Sequence, residues 1–191
     1  MKHQGTIIIE TERLILRPFR KEDAEMVFNN WANDERVTKF LTWQPHQNID
    51  VTKMVINNWI DNYQAKDFYQ WVIVLKETNE PIGSISGVKI DERIEAVEIG
   101  YCIGYSWWHK GYTSEALKAL VKFYFEEVEA KRIWAIHDVN NPNSGKVMMK
   151  CGLKYEGTMK KAGYNNLGII NISMYGLIKE EYQNNEDDLS I

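Results

Sequence analysis

The sequence predicts an α+β fold: a central mixed sheet with helices on both faces. Strand-like runs joined by short turn signals fill the middle of the chain, Tyr69 to Leu75, Ile82 to Ile90 and Val97 to Ile103. An amphipathic stretch with apolar positions at Leu117, Leu120, Val121, Tyr124 and Val128 separates the last of these from another strand, Arg132 to Val139. Hairpin-linked strands pair antiparallel, a strand–helix–strand crossover pairs parallel, and a sheet holding both kinds needs helices to cover it.

In chain order, Thr6 to Pro18 reads as one strand, with Leu14 and Leu16 alternating against Arg13 and Arg17. Lys21 to Asn33 reads as a helix. Asp50 to Ala65 reads as another, carrying Met54, Val55, Trp59 and Ile60 at helical spacing, and Thr42-Trp43-Gln44-Pro45-His46 is the loop between them. Tyr69 to Leu75 is almost continuously apolar, as a strand buried on both faces should be. Asn79-Glu80-Pro81 and Asp91-Glu92-Arg93 turn the next strands. Beyond Val139 come a short helix, Ser144 to Cys151, and two strands, Tyr155 to Tyr164 and Ile169 to Ile178, turning at Asn165-Asn166-Leu167-Gly168. No linker or repeat interrupts the order. One domain is therefore expected over residues 1–191, with its core at about 10–182 and a frayed, solvated acidic tail at 183–191.

Composition excludes several classes. A net charge of -4 argues against a nucleic-acid partner held by phosphate contacts and is compatible with a cationic one such as an amine. No apolar run is long enough to span a bilayer, and Ile7-Ile8-Ile9 is too short for a signal peptide. Cys102 and Cys151 form no C-x-x-C pair, so they read as reduced thiols in the cytoplasm. His109 and His137 have no partner at metal spacing, and no metal is expected. A homodimer stays open.

Chemistry concentrates at Trp107-Trp108-His109-Lys110-Gly111-Tyr112-Thr113-Ser114-Glu115-Ala116. A strand turning at a glycine into a helix leaves N–H groups unpaired at the helix start, and with the helix dipole these make a seat for phosphate. Two nucleotide motifs fail on spacing. A Walker-A loop would need glycine at Asn140 and Ser/Thr at Val147, and no G-x-G-x-x-G lies at a strand–helix junction.

Three motifs in order resemble the Gcn5-related N-acetyltransferase (GNAT) superfamily, in particular its RimJ/RimL-like branch, which is associated with acetylating N-terminal amines of ribosomal proteins. They are Thr11-Glu12-Arg13-Leu14-Ile15-Leu16-Arg17-Pro18; Glu98-Ile99-Gly100-Tyr101 with Trp108 to Ala116; and Asn141-Pro142-Asn143-Ser144 with Val147, Lys150, Gly152 and Glu156-Gly157. The resemblance implies acetyl-CoA as cosubstrate and a GNAT-like sheet splayed at its site. It places the cofactor's diphosphate on the backbone of His109, Lys110, Gly111, Tyr112, Thr113 and Ser114. The pantetheine arm would lie on backbone groups of Cys102 and Ile103 and on Asn141. Where the superfamily pattern keeps a second small residue, this chain has Thr113.

The implied reaction is attack of a neutral amine on the thioester carbonyl. It needs a base, a polarised carbonyl and a proton for the departing thiolate. The resemblance gives the proton to Ser144, because Met148 stands where a donor tyrosine is common; Ser144 also reads as a helix N-cap. Glu98 shares strand parity with Cys102 and suits a base acting through water, or a structural partner for an arginine. Cys102 itself reads as a small buried thiol rather than a nucleophile. His46 and Trp43 fall in the loop that varies to admit acceptors. An α-amine, with pKa about 7.7–8.0, is far more often neutral near pH 7 than a lysine at about 10.4, so a protein N-terminus is the favoured acceptor. A polyamine, amino acid or antibiotic as acceptor, or a non-catalytic acyl-CoA-binding module, are the alternatives.

Overall fold

The computed structural model describes residues 1–188, with side chains through Asn184. One sheet carries the strands β1 (Ile9–Glu10), β2 (Leu14–Arg17), β3 (Gln70–Leu75), β4 (Glu80–Asp91), β5 (Ala96–Ile103), β6 (Arg132–Asp138), β7 (Lys154–Asn165) and β8 (Gly168–Ile178). Their spatial order is β1-β2-β3-β4-β5-β6-β8-β7. Every neighbour pairs antiparallel except β5 with β6, which are parallel and joined by the crossover helix α4 (Tyr112–Glu126).

The other helices are α1 (Ala24–Val27), α2 (Glu35–Thr38), α3 (Ile49–Asn62), α5 (Pro142–Lys150) and α6 (Lys179–Asp188). They cover both faces of the sheet. On one face α4 packs Leu117, Leu120 and Tyr124 against Trp71, Ile73 and Val97. On the other, Val27 of α1 and Ile56 of α3 pack against Val72 and Val74. Successive side chains of a strand point to opposite faces, so β3 feeds both cores, as its continuous apolar run predicts. Each of these large apolar side chains contributes roughly 1.5–3 kcal/mol by leaving water. Among the described residues, no helix is long and apolar enough to cross a membrane.

Three local expectations need correction. The run Thr6 to Pro18 is not one strand but a hairpin of β1 with β2. Thr11 donates its N–H to the Leu14 carbonyl (3.0 Å), and its hydroxyl accepts the Leu14 N–H (3.0 Å). The helix expected over Lys21 to Asn33 is α1 flanked by a 3-10 turn, Lys21–Asp23, and a π turn, Phe28–Ala32. The wider π turn carries Trp31 into the core. Finally, the backbone of the acidic tail continues helix α6 as far as Asp188; the solvation expected of Glu186, Asp187 and Asp188 lies outside the described side chains.

Candidate active site

The site is set by where the sheet opens. β5 and β6 pair only from Ala96 to Glu98, opposite Arg132 to Trp134. Beyond that point β6 stays with β8 through Asp138, while β5 stays with β4 through Ile103. A gap therefore flanks the last residues of β5.

Which backbone groups face the gap follows from the ladder. Gly104 donates to the Ile82 carbonyl (2.8 Å), and Cys102 lies opposite Ser84. By antiparallel alternation the N–H and C=O of Cys102 face β4, and those of Tyr101 and Ile103 face the gap. This corrects one half of the backbone assignment: Tyr101, not Cys102, offers its main chain beside Ile103. The Ile103 carbonyl accepts the Trp108 indole N–H (2.8 Å), which leaves its N–H to the gap.

Past β5, a 3-10 turn (Tyr105–Trp107) leads to the glycine turn. His109 and Gly111 both take left-handed backbone, at φ 62° and 82°. Such alternation gathers successive N–H groups into an anion-binding concavity. Gly111 is the N-cap of α4 and supplies no side-chain cap; the first helical bond runs from the Glu115 N–H to the Gly111 carbonyl (3.0 Å). The N–H groups of Tyr112, Thr113 and Ser114 thus have no acceptor within the helix. These free N–H groups form a concavity with the shape of an anion seat.

A clamp that sequence reasoning missed holds this seat. Glu115 accepts from Thr11 Oγ1 (2.6 Å), the Arg13 N–H (2.8 Å) and Arg13 Nε (2.6 Å). Burial works against ionising Glu115, but the Thr11 and Arg13 bonds outweigh it and hold its carboxyl below the ordinary range. Arg13 also donates to the Lys110 carbonyl (3.1 Å) and lies over the Tyr112 ring, 4.5 Å from its centroid. The Tyr112 ring is occupied in this way, and neither it nor the exposed Lys110 side chain lines the adjoining cavity.

Two cavities meet beside the gap. The first, about 420 Å³, is lined by His109, Gly111, Thr113 and Ser114 of the seat and by two cations of α5, Lys146 and Lys150. The second, about 570 Å³, lies toward α3 and the β7–β8 hairpin and contains Glu98, His46 and Trp43. Tyr101, Cys102, Asn141 and Ser144 line both.

At this junction Ser144 is not the N-cap of α5. Asn141 holds that position with Pro142 following, and Ser144 sits within the first turn. Its Oγ lies 3.0 Å from the Tyr101 hydroxyl, which also reaches the Ser144 carbonyl at 3.0 Å. Burial pushes the Tyr101 phenol well up, so it stays protonated. The Asn141 side chain has no hydrogen bond among the described residues. Met148 is buried, and no donor stands there. The Cys102 thiol contacts Ser84 Oγ (3.3 Å) and burial raises its pKa, which suits a packed thiol.

Glu98 is half-buried in the second cavity. Among the described residues it has no arginine partner; its cross-strand neighbour is Lys89. Burial raises its pKa, and the Lys89 charge opposes this only in part. His46 bonds Thr52 Oγ1 (2.8 Å), packs against Trp43 with ring centroids 5.4 Å apart, and is held toward neutrality by burial. His137 donates from Nδ1 to the Asp138 carbonyl (2.7 Å).

Comparison with known proteins bears on the chemistry. The acetyltransferase (GNAT) domain family matches residues 13–154. An uncharacterized N-acetyltransferase, YoaA of Bacillus subtilis, is 31% identical over 172 residues, covering 90% of this chain and 97% of that protein. The ribosomal-protein-serine acetyltransferase of Escherichia coli is 31% identical over 110 residues, 58% of this chain and 62% of that one. The crystal structure of a GNAT-family acetyltransferase from Bacillus anthracis superposes with a TM-score of 0.80 at 29% identity, covering 91% of this chain and 99% of that chain. With its splayed sheet and its helix-start seat, the chain belongs to the GNAT family of N-acetyltransferases.

Proposed function

We propose that the protein transfers the acetyl group of acetyl-CoA to a primary amine, and that this amine is the N-terminal α-amine of a protein. One observation carries the reading. A cavity with unpaired N–H groups and lysines meets an apolar cavity with a carboxylate, and they meet at Tyr101, Asn141 and Ser144.

The parts fit the cosubstrate's chemistry. The N–H groups of residues 109–114 hold a diphosphate, with Lys146 and Lys150 beside it. Tyr101 and Ile103 offer strand-edge main chain, and the free Asn141 amide offers a further contact, to the amide-bearing pantetheine arm. Acetyl-CoA supplies an activated thioester carbonyl. Glu98 takes the proton of the incoming amine through water, and Ser144 gives a proton to the departing thiolate. A carboxylate is a weak base for a lysine ammonium but adequate for an α-amine, which is already partly neutral near pH 7. The similarity to a ribosomal-protein-serine acetyltransferase supports a protein acceptor. We place the protein in the cytoplasm, where its free thiols Cys102 and Cys151 stay reduced.

The test is calorimetry with acetyl-CoA followed by thiol release in the presence of a peptide panel. Heat on binding and acetylation at the peptide α-amine are expected. Binding without turnover on any amine would leave only an acyl-CoA-binding module, and turnover confined to small amines would overturn the protein acceptor.

A further inference from the structure

The acceptor side has a chemical bias that acetyl transfer alone does not require. Trp31, Phe40, Trp43 and Trp59 line the second cavity, and no lysine or arginine does. Two carboxylates reach it. Asp138 is committed to structure: one oxygen accepts from Asn165 Nδ2 (2.8 Å), and the other from the Asn140 N–H (2.9 Å) and Nδ2 (3.1 Å). Glu98 alone remains without a hydrogen bond or ion pair among the described residues. Of the two histidines in the lining, the half-buried His46 is bonded to Thr52 and held toward neutrality by burial, and His137 gives its Nδ1 proton to the Asp138 carbonyl.

The walls are also fixed. Asn166, at the tip of the β7–β8 hairpin, donates its N–H to the Leu41 carbonyl (3.1 Å) and Nδ2 to the carbonyls of Thr38 (2.9 Å) and Trp43 (2.8 Å), and accepts from Gln44 Nε2 (2.6 Å). The Trp43 loop is thereby bound to the opposite wall.

We propose that the acceptor is a primary amine carried on a large apolar body with no free acidic group near the amine; for a polypeptide, this is an N-terminus whose first side chain is aromatic or branched aliphatic. The proposal rests on the acetyl-transfer reading of the same site. An apolar side chain leaves water against aromatic walls. The ammonium form is drawn to Glu98. A carboxylate or phosphate next to the amine would be desolvated with no lysine or arginine to meet it and with Glu98 repelling it. A peptide's first carbonyl is a neutral amide and escapes that penalty. Free amino acids and N-terminal Asp or Glu do not.

The experiment compares kcat/KM for peptides beginning with Phe, Leu, Ser or Asp, and for phenylalanine amide, free phenylalanine and phenethylamine. Tryptophan fluorescence of the CoA-bound protein reports amine binding in parallel. Phe and Leu peptides should exceed the Ser peptide by about ten-fold or more, with Asp lowest. Phenylalanine amide should exceed free phenylalanine by at least the same factor. Phenethylamine separates the two sources: turnover equal to the Phe peptide assigns a small amine, and a preference for the peptide assigns an N-terminus. Trp43→Ala should erase the Phe-over-Ser preference while leaving the KM for acetyl-CoA unchanged. A flat panel, or preference for Ser, Asp or free phenylalanine, overturns the proposal and leaves acetyl transfer standing. Fluorescence-detected binding of apolar amines without any turnover sinks acetyl transfer and keeps the selectivity. Absence of both overturns both.

Discussion

The hydroxyl of Tyr101, on β5, lies 3.0 Å from both the Oγ and the carbonyl oxygen of Ser144, on α5. The phenol has one proton to share between them. When it goes to the carbonyl, the Ser144 hydroxyl can return its own proton to the phenol oxygen. When it goes to Oγ, the serine proton is free for a leaving thiolate. The tyrosine, which burial keeps protonated, thus orients the serine hydroxyl across the junction of the two cavities.

Ser144→Ala should lower kcat by about 10²-fold or more, as for loss of a general acid, with the KM for acetyl-CoA little changed. Tyr101→Phe should lower kcat less. Because the two act on one proton, the double variant should lose no more than Ser144→Ala alone. Steady-state kinetics on all three checks this. Full additivity would mean that the hydroxyls act separately.

Glu98 gives a pH signature. Burial is the main influence and raises its pKa, and Lys89 opposes it. A base must be ionised, so kcat/KM should fall on the acid side at a pH above the ordinary carboxylate range. Lys89→Met removes the opposing charge and should move that limb to still higher pH. The stability sign is opposite. A carboxyl whose folded pKa is raised helps the fold fully below its unfolded pKa, and this help is lost as pH rises through the folded value. Glu98→Gln should therefore be nearly inactive yet melt slightly higher than wild type at pH 7. A variant that lost both activity and stability would make Glu98 structural.

Much of this arrangement was legible in the sequence, and the limits have physical causes. Gly111 after a strand and before an amphipathic run announces a helix-start seat, and Asn165 to Gly168 announces its hairpin, because both signals are local. Side-chain parity correctly puts Glu98 and Cys102 in one cavity. Parity does not say which neighbouring strand each backbone group faces, and the resemblance that points to Cys102 carries no register, so only the β4–β5 ladder shows that Tyr101 faces the gap. The contacts that complete the site join residues far apart in sequence. Tyr101 meets Ser144, Arg13 meets Glu115, and Asn166 meets Thr38, and no local pattern links the members of any pair. The π turn at Phe28–Ala32 hid for a different reason: its apolar spacing differs little from that of an α-helix over one turn.

The Arg13–Glu115 clamp predicts a binding phenotype. Arg13→Met leaves Glu115 half-satisfied beside the phosphate seat and frees the Lys110 carbonyl. The Kd for acetyl-CoA should rise about ten-fold, equivalent to about 1.4 kcal/mol, while kcat at saturation stays near wild type. Since the folded pKa of Glu115 is lowered, its contribution to stability is present above its unfolded pKa and is lost as pH falls through the folded value. Arg13→Met should therefore cost more stability at pH 7 than at pH 3. Calorimetry and thermal melts read both effects, and an unchanged acetyl-CoA affinity would reduce the clamp to a surface contact.

Asn166 predicts the complementary phenotype on the acceptor side. Asn166→Ala removes the side-chain bonds to the Thr38 and Trp43 carbonyls and to Gln44, and leaves those carbonyls without that partner. At about 1 kcal/mol for each bond, the loss is roughly 2–3 kcal/mol. For a chain of this size that lowers Tm by roughly 4–12 °C. The seat at residues 109–114 is not among its bonded partners, so the KM for acetyl-CoA should hold. The KM for the amine should rise, because the Trp43 wall is no longer tied to the hairpin. Asn166→Asp separates fixation from bulk. It keeps the size and an acceptor for Gln44 but loses both Nδ2 donors and sets a carboxylate against two carbonyls, so it should weaken acceptor binding at least as much as alanine does. If both variants kept the wild-type amine KM while melting early, the hairpin tip would support the fold without shaping the cavity.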